Sequence, residues 1–286
     1  MEVVRIGDGP IEVEVLPDVG ARLHRLRVGG HDLIRTPASL ESHLDDPWFW
    51  GSYPMAPWCN RVVAGRTTVA GRAVNLPVTF PDGTAIHGQV ARAAWARTGD
   101  ASFAIRAGGD GWPWPYRVEQ SIAVGEWQIE LALWLTNLAD TPMPAGLGIH
   151  PWFRRPVEVA IKAGSVHPSN LASEADPIPV TGPFDRSVLA PMPDGLDATW
   201  TSIGEPPVVL GWPDIGLTAT LEFDAPERFV VAASPAEIDA VAIEPQTHAP
   251  AGIRRLEQGE PGGLVLIDPG DALSLTVRLD FERTQT

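Results

Sequence analysis

The chain has 286 residues, 44% of them hydrophobic, with 28 glycines, 29 prolines and a formal net charge of −15. That length can bury a sizeable core, and Gly and Pro scattered through an apolar chain mark turns between short strands rather than disorder. The acidic balance, with a pI near 4.8, speaks against nucleic acid or an anionic membrane as a partner, since both select a basic surface.

Cys59 is the sole cysteine, so no intrachain disulfide and no multi-cysteine zinc site can form. Lys162 is the sole lysine and sits in a polar-alternating segment, a poor setting for Schiff-base chemistry. The first residues lack a basic region followed by an apolar one, and no run of about 20 apolar residues occurs. The expectation is a cytoplasmic, soluble protein.

In chain order, Ile11, Val13 and Val15 alternate with Glu12 and Glu14, the pattern of a half-buried strand. Residues 21–28 predict a second strand whose phase slips near Arg25, as at a β-bulge. Segment 41–61 (ESHLDDPWFWGSYPMAPWCNR) holds too many Pro and Trp for regular structure and reads as a long functional loop. Residues 62–77 predict a hairpin with glycine at its turns, and 92–106 two more short strands. Trp127, Ile129, Leu131, Leu133 and Leu135 make the clearest central strand, and Val157, Val159 and Ile161 repeat its alternation. Residues 165–193 are polar and Pro-punctuated, so they read as excursions over the surface. Strands at 217–223, 228–234, 240–245 and 273–281 close the chain. Amphipathic helices of three or more turns, phosphate-binding glycine loops, internal repeats and linkers are all absent from the pattern. Residues 1–286 are therefore expected to form one all-β domain, a large antiparallel β-sandwich or barrel-like sheet.

The stretch GLGIHPWFRRP (146–156) draws attention first. It sets His150 between a small apolar run and a Pro-aromatic-aromatic turn, where it is either a core histidine bonded to a carbonyl or a working imidazole. Three further sites also set a polar residue among small residues, prolines and aromatics. These are Asn60-Arg61 after a Pro-Trp segment, His87 before Gly88, and Glu244 after the apolar run AVAI. Arg61 could be a surface cation and His87 an exposed turn residue. Glu244 is more telling, because a carboxylate after four apolar residues is costly unless paired, and Pro245 puts it at a strand rim. Asp197 lies where the excursions return to a strand and could be a turn former or cap. Several tryptophans, including Trp48, Trp58 and Trp152, fall in apparent loops, where they could stack on a sugar or simply lid the sandwich.

Taken in order, the NR, HG, HPWF, LD and EPQ segments resemble the aldose 1-epimerase (galactose mutarotase) family, from about residue 13 to 281. The resemblance implies a supersandwich of antiparallel strands and an isomerase that interconverts the α and β anomers of a free aldose. It implies Glu244 as general base and His150 as general acid. His87 is implied near the anomeric hydroxyl and ring oxygen, and Arg61 and Asp197, with Asn60 and Trp152, on the sugar. Trp152 stands where the family more often has tyrosine, which bears on the choice of sugar. No cofactor or metal is implied, and a monomer or homodimer acting on a monosaccharide is expected.

A glutamate and a histidine suit the reaction. Reference pKa values of about 4.3 and 6.5 leave a window with Glu ionised and His protonated. Partial burial raising Glu244 and a nearby carboxylate raising His150 would centre it near neutrality. Three alternatives use the same residues. One is a hexose-6-phosphate epimerase, whose phosphate would need Arg154-Arg155 or Arg254-Arg255; another is a non-catalytic sugar-binding or sensor protein. The third is a metal site of His87, His150 and Glu244, although no short-spaced histidine pair anchors one.

Overall fold

The structure is a computed structural model that describes residues 1–169 and 176–284. Most strands join one 18-stranded sheet, flanked by three two-stranded sheets. The sheet curls as a large antiparallel β-sandwich, and its apolar faces enclose a core that runs from Val4 to Phe281. The strand pattern carries this directly. In Gln128–Asn137, Ile129, Leu131, Leu133 and Leu135 point into the core and pair with the closing strand Ala272–Arg283. The bulge expected near Arg25 is present one residue earlier: Glu14 faces Arg25 and Val15 faces Leu23, leaving His24 as the extra residue.

Segment 41–61 is more regular than expected, holding a short helix Ser42–Asp45 and a strand Ser52–Met55. All four residues of that strand are buried, so it carries no alternation to read. The Gly148–Arg154 strand likewise runs straight through HPWF, where a turn is expected, because all but its last residue are covered. A 13-residue strand, Trp112–Val124, is hidden by its prolines: Pro113 and Pro115 point outward while Trp112, Trp114 and Tyr116 fill the core. Trp58 packs on Trp112 at 5.2 Å between ring centroids, so these tryptophans are core residues rather than loop aromatics. Within 165–193, residues 165–167 end the strand Glu158–His167, and only Ile178–Pro179 and Ala190–Pro191 are further strands; 170–175 lie outside the described residues.

The register of four neighbouring strands positions the site. Leu23 pairs with Ser52, so Arg22 stands beside Tyr53. Tyr53 pairs with His150. Gly148 pairs with Gln246 and Trp152 with Ala242, which sets His150 opposite Glu244. Arg22, Tyr53, His150 and Glu244 thus form one rung across the sheet, on a shared face because side chains alternate along each strand.

Candidate active site

The rung brings His150 Nε2 to 3.2 Å from Glu244 Oε1, with both side chains almost wholly buried at 5% and 3% exposure. Pro151 and Pro245 follow the two residues and offer no N–H to close the ladder beside them, so the side chains meet where the pairing is interrupted. Gly148 clears space at the start of this strand, since a Cβ there would stand 2.5 Å from Met55 Cε and 2.7 Å from Cys59 Sγ. Cys59 is buried packing there.

His87 arrives from a different part of the chain. It and Asn60 both adopt left-handed backbone, with φ of 57° and 64°, and each holds the other. The His87 N–H donates to the Asn60 carbonyl at 3.1 Å, and the Asn60 N–H donates to His87 Nδ1 at 3.2 Å. Gly88 is required next in line: with φ +73°, a Cβ would fall 1.8 Å from the Ala56 carbonyl oxygen. The His87 ring meets that of His150 edge-on at 5.1 Å.

One ligand atom from each of His87, His150 and Glu244 lies within 4.8 Å of the others, close enough to suggest a metal. The hydrogen bonds oppose it. An amide N–H pointing at His87 Nδ1 requires a lone pair there, so the neutral ring carries its proton on Nε2 and is a donor at that atom. A metal-binding histidine needs the reverse, with its distal nitrogen donating to an acceptor. The residues do not fit a metal at His87.

The cleft beside this cluster encloses about 390 Å³. Trp48, Phe49, Phe80 and Trp152 form its aromatic walls. The Trp48 carbonyl fixes two of the rings, accepting from Trp152 Nε1 at 2.7 Å and from the Tyr53 hydroxyl at 3.0 Å. Arg61 lines the cleft over Phe80, with Nε held by Asp82 Oδ2 at 2.8 Å. Asp197, the first residue of its strand, also lines the cleft. Of the residues singled out in the sequence, Glu244, His150, His87, Arg61, Asp197 and Trp152 therefore meet in one cleft. Asn60 stands behind it, where its Oδ1 accepts from the Arg61 main-chain N–H at 3.0 Å. The structure adds Tyr53, Phe80 and Glu237, which no motif marks; for Tyr53, recognising 52–55 as a strand would have exposed its place opposite His150.

Burial controls the charges. It raises the Glu244 pKa well above the carboxylate range, with nearby Asp197 adding to the rise and Arg61 opposing it. It lowers His150 to about 3; its own main-chain carbonyl opposes the drop, and the cations Arg22 and Arg61 deepen it. His150 is thus shifted down, not up as the sequence suggests, because desolvation of the imidazolium outweighs a carboxyl that is itself resisting ionisation. Burial, His150 and Arg61 together keep His87 neutral. These directions favour a neutral carboxyl against a neutral imidazole over a carboxylate against an imidazolium, two forms that contain the same number of protons.

Residues 2–183 match the family Aldose 1-epimerase. The chain is 26% identical over 254 residues to the uncharacterized protein YphB of Escherichia coli (strain K12), covering 80% of this chain and 83% of that one. Among solved structures, the GalM/aldose epimerase homologue from C. elegans superposes with a TM-score of 0.83 at 17% identity, covering 99% of both chains. A galactose mutarotase-like protein from Clostridium acetobutylicum also gives 0.83, at 16% identity over 98% of this chain and 95% of that one. These two likenesses show a shared fold.

Proposed function

Since the chain belongs to the aldose 1-epimerase family, we propose that it is an isomerase that interconverts the α and β anomers of a free monosaccharide in this cleft. The observation that carries the reading is the buried contact between His150 Nε2 and Glu244 Oε1 at 3.2 Å, on the wall of an aromatic cleft. Opening a cyclic hemiacetal needs one proton removed from the C1 hydroxyl and one delivered to the ring oxygen as the C1–O5 bond breaks. Glu244 takes the first and His150 gives the second, once their shared proton has crossed to the imidazole. That transfer leaves the pair's proton count unchanged, so solvent need supply nothing. The aldehyde then rotates about C1–C2 and the two groups run the step backwards. His87 offers its Nε2–H to a sugar oxygen, Arg61 and Asp197 hold hydroxyls, and the aromatic walls face the apolar side of the ring.

Charge in the cleft favours a neutral sugar over a phosphorylated one. Asp197 and Glu237 line it, and Arg61, the arginine that lines it, is already bonded to Asp82. Polarimetry of freshly dissolved α-D-glucose, α-D-galactose and other aldoses tests the reading, with wild type beside Glu244→Gln. Faster mutarotation in wild type, reduced by about 10²–10⁴ in the variant, is expected. Acceleration confined to hexose 6-phosphates would overturn the substrate assignment. Tight binding of a sugar with no acceleration would make this a binding protein.

A further inference from the structure

Arg22 is among the largest fully buried side chains, yet it neither lines the cleft nor belongs to the proposed acid–base pair. Its donors go to carbonyls: Nε to Val19 at 3.0 Å, one terminal nitrogen to Pro47 at 2.8 Å, the other to Ala91 at 2.7 Å. Among the described residues no carboxylate makes ion-pair contact with it; Asp46 and Arg92 act on it only through their fields. A buried guanidinium held by neutral acceptors, with no carboxylate beside it, is expensive to keep.

The first terminal nitrogen also meets His43 Nδ1 at 3.3 Å, and since arginine can only donate, the histidine nitrogen is an acceptor. His43 Nε2–H then donates to His24 Nδ1 at 2.9 Å, and His24 turns its Nε2–H toward Glu14, 3.9 Å away. The chain of donors runs one way and fixes the side from which Arg22 is approached. On its other side the guanidinium carbon sits 5.1 Å from the centre of the Tyr53 ring, and Tyr53 is stacked on His150 at 4.6 Å and 27°.

We infer that Arg22 is a positioning residue for the acid–base pair: it seats the Tyr53 ring against which His150 lies, and it ties the segment bearing Trp48 and Phe49 to the segment following His87. The geometry explains why the site tolerates a buried cation without a counter-ion. Pro47 directly precedes the cleft residues Trp48 and Phe49, and Ala91 follows His87 by four residues; a planar fork reaches both carbonyls while keeping a face for the phenol ring. The groups facing His150 are then Glu244 on one neighbouring strand, Tyr53 on the other, and His87 and Trp152 at the cleft. Arg22 stands as a positive charge beyond Tyr53, disfavouring an imidazolium before sugar arrives.

The inference rests on His150 being catalytic, so its test has one arm that needs no turnover. Titration of the His150 ring by NMR in wild type, Arg22→Met, Arg22→Lys, Tyr53→Leu and Tyr53→Phe reads its environment directly. Arg22→Met and Tyr53→Leu should move the His150 titration upward, with Tyr53→Phe near wild type and Arg22→Lys, which keeps the charge, restoring most of the shift. On whichever aldose is turned over, Arg22→Met and Tyr53→Leu should lower kcat about tenfold or more, and Arg22→Lys should recover part of that loss. A folded Arg22→Met protein with the wild-type His150 titration would overturn the inference. Should Arg22→Met fail to fold, equal His150 titrations in Tyr53→Leu and Tyr53→Phe would overturn it as well. Absence of turnover in wild type with these shifts present would fault the epimerase reading and leave the positioning role intact.

Discussion

Glu244 is the residue at which the proposed function and stability are set against each other. Its pKa is raised in the folded chain, so the folded state keeps a proton that the unfolded state releases as pH rises through about 4.5. A raised carboxyl stabilises at low pH and loses that contribution as pH climbs toward its folded value. Glu244→Gln has no such loss. It should therefore be more stable than wild type by about 0.5–2 kcal/mol at pH 7–8, with the difference closing in acid; paired denaturant melts at pH 4 and pH 8 check this. The same directions, Glu244 up and His150 down, widen the range over which the pair holds a single transferable proton. The profile of kcat/KM against pH should stay level through about pH 6.5, the midpoint at which unshifted groups would give a fall. A titration step at that midpoint would count against the neutral pair. These residues were legible as short ordered motifs, because proline and glycine beside a lone polar group leave a mark in sequence. Tyr53, Phe80 and Glu237 left none, since they face the cleft only through the fold.

Strands with one wet face were readable; of the covered strands, the largely aliphatic Phe229–Ala233 and Ala240–Gln246 were read and those rich in proline and aromatics were not. Gln128–Asn137 and Ala272–Arg283 alternate cleanly, while Ser52–Met55 and most of Gly148–Arg154 are covered on both sides and read as loop or turn. Those two strands carry Tyr53, His150 and Trp152 of the candidate site. The backbone at the His87 turn was similarly visible only in part: Gly88 announces a tight turn, but not that its missing Cβ makes room for the Ala56 carbonyl. Gly88→Ala should cost about 1–3 kcal/mol through overpacking and backbone strain. It should also reduce activity in the fraction that folds, because His87 is displaced with the turn. Thermal melts alongside kcat normalised to folded protein separate the two effects.

Across the whole molecule the buried histidines form a common acid liability. His43 and His150 are lowered to about 3, His248 to about 4, and His24 and His87 are also lowered, in each case chiefly by burial. A depressed histidine supports the fold above its unfolded pKa of about 6.5 and loses that support as pH falls toward the folded value. Stability should decline from about pH 6.5 to pH 4 more steeply than Glu244 can offset. A variant with His43 replaced by Gln should flatten the decline, as followed by the urea midpoint against pH. His248 shows the cost of losing neutrality: its Nε2 accepts the Cys59 N–H at 2.9 Å while Nδ1 donates to the Ala249 carbonyl at 2.8 Å, so a second ring proton would break the first bond.

The rung of Arg22, Tyr53, His150 and Glu244 draws one residue each from four strands spread over most of the chain. No fragment shorter than residues 22–244 contains it, and a chain still emerging from synthesis lacks its last member until residue 244 is free to pair. Contacts this distant in sequence are late to form. The proposed chemistry is thus a property of the closed sheet: a copy that lacks the strand Ala240–Gln246 should carry no weakened version of it, and regain of turnover during refolding should mark the moment that strand is seated.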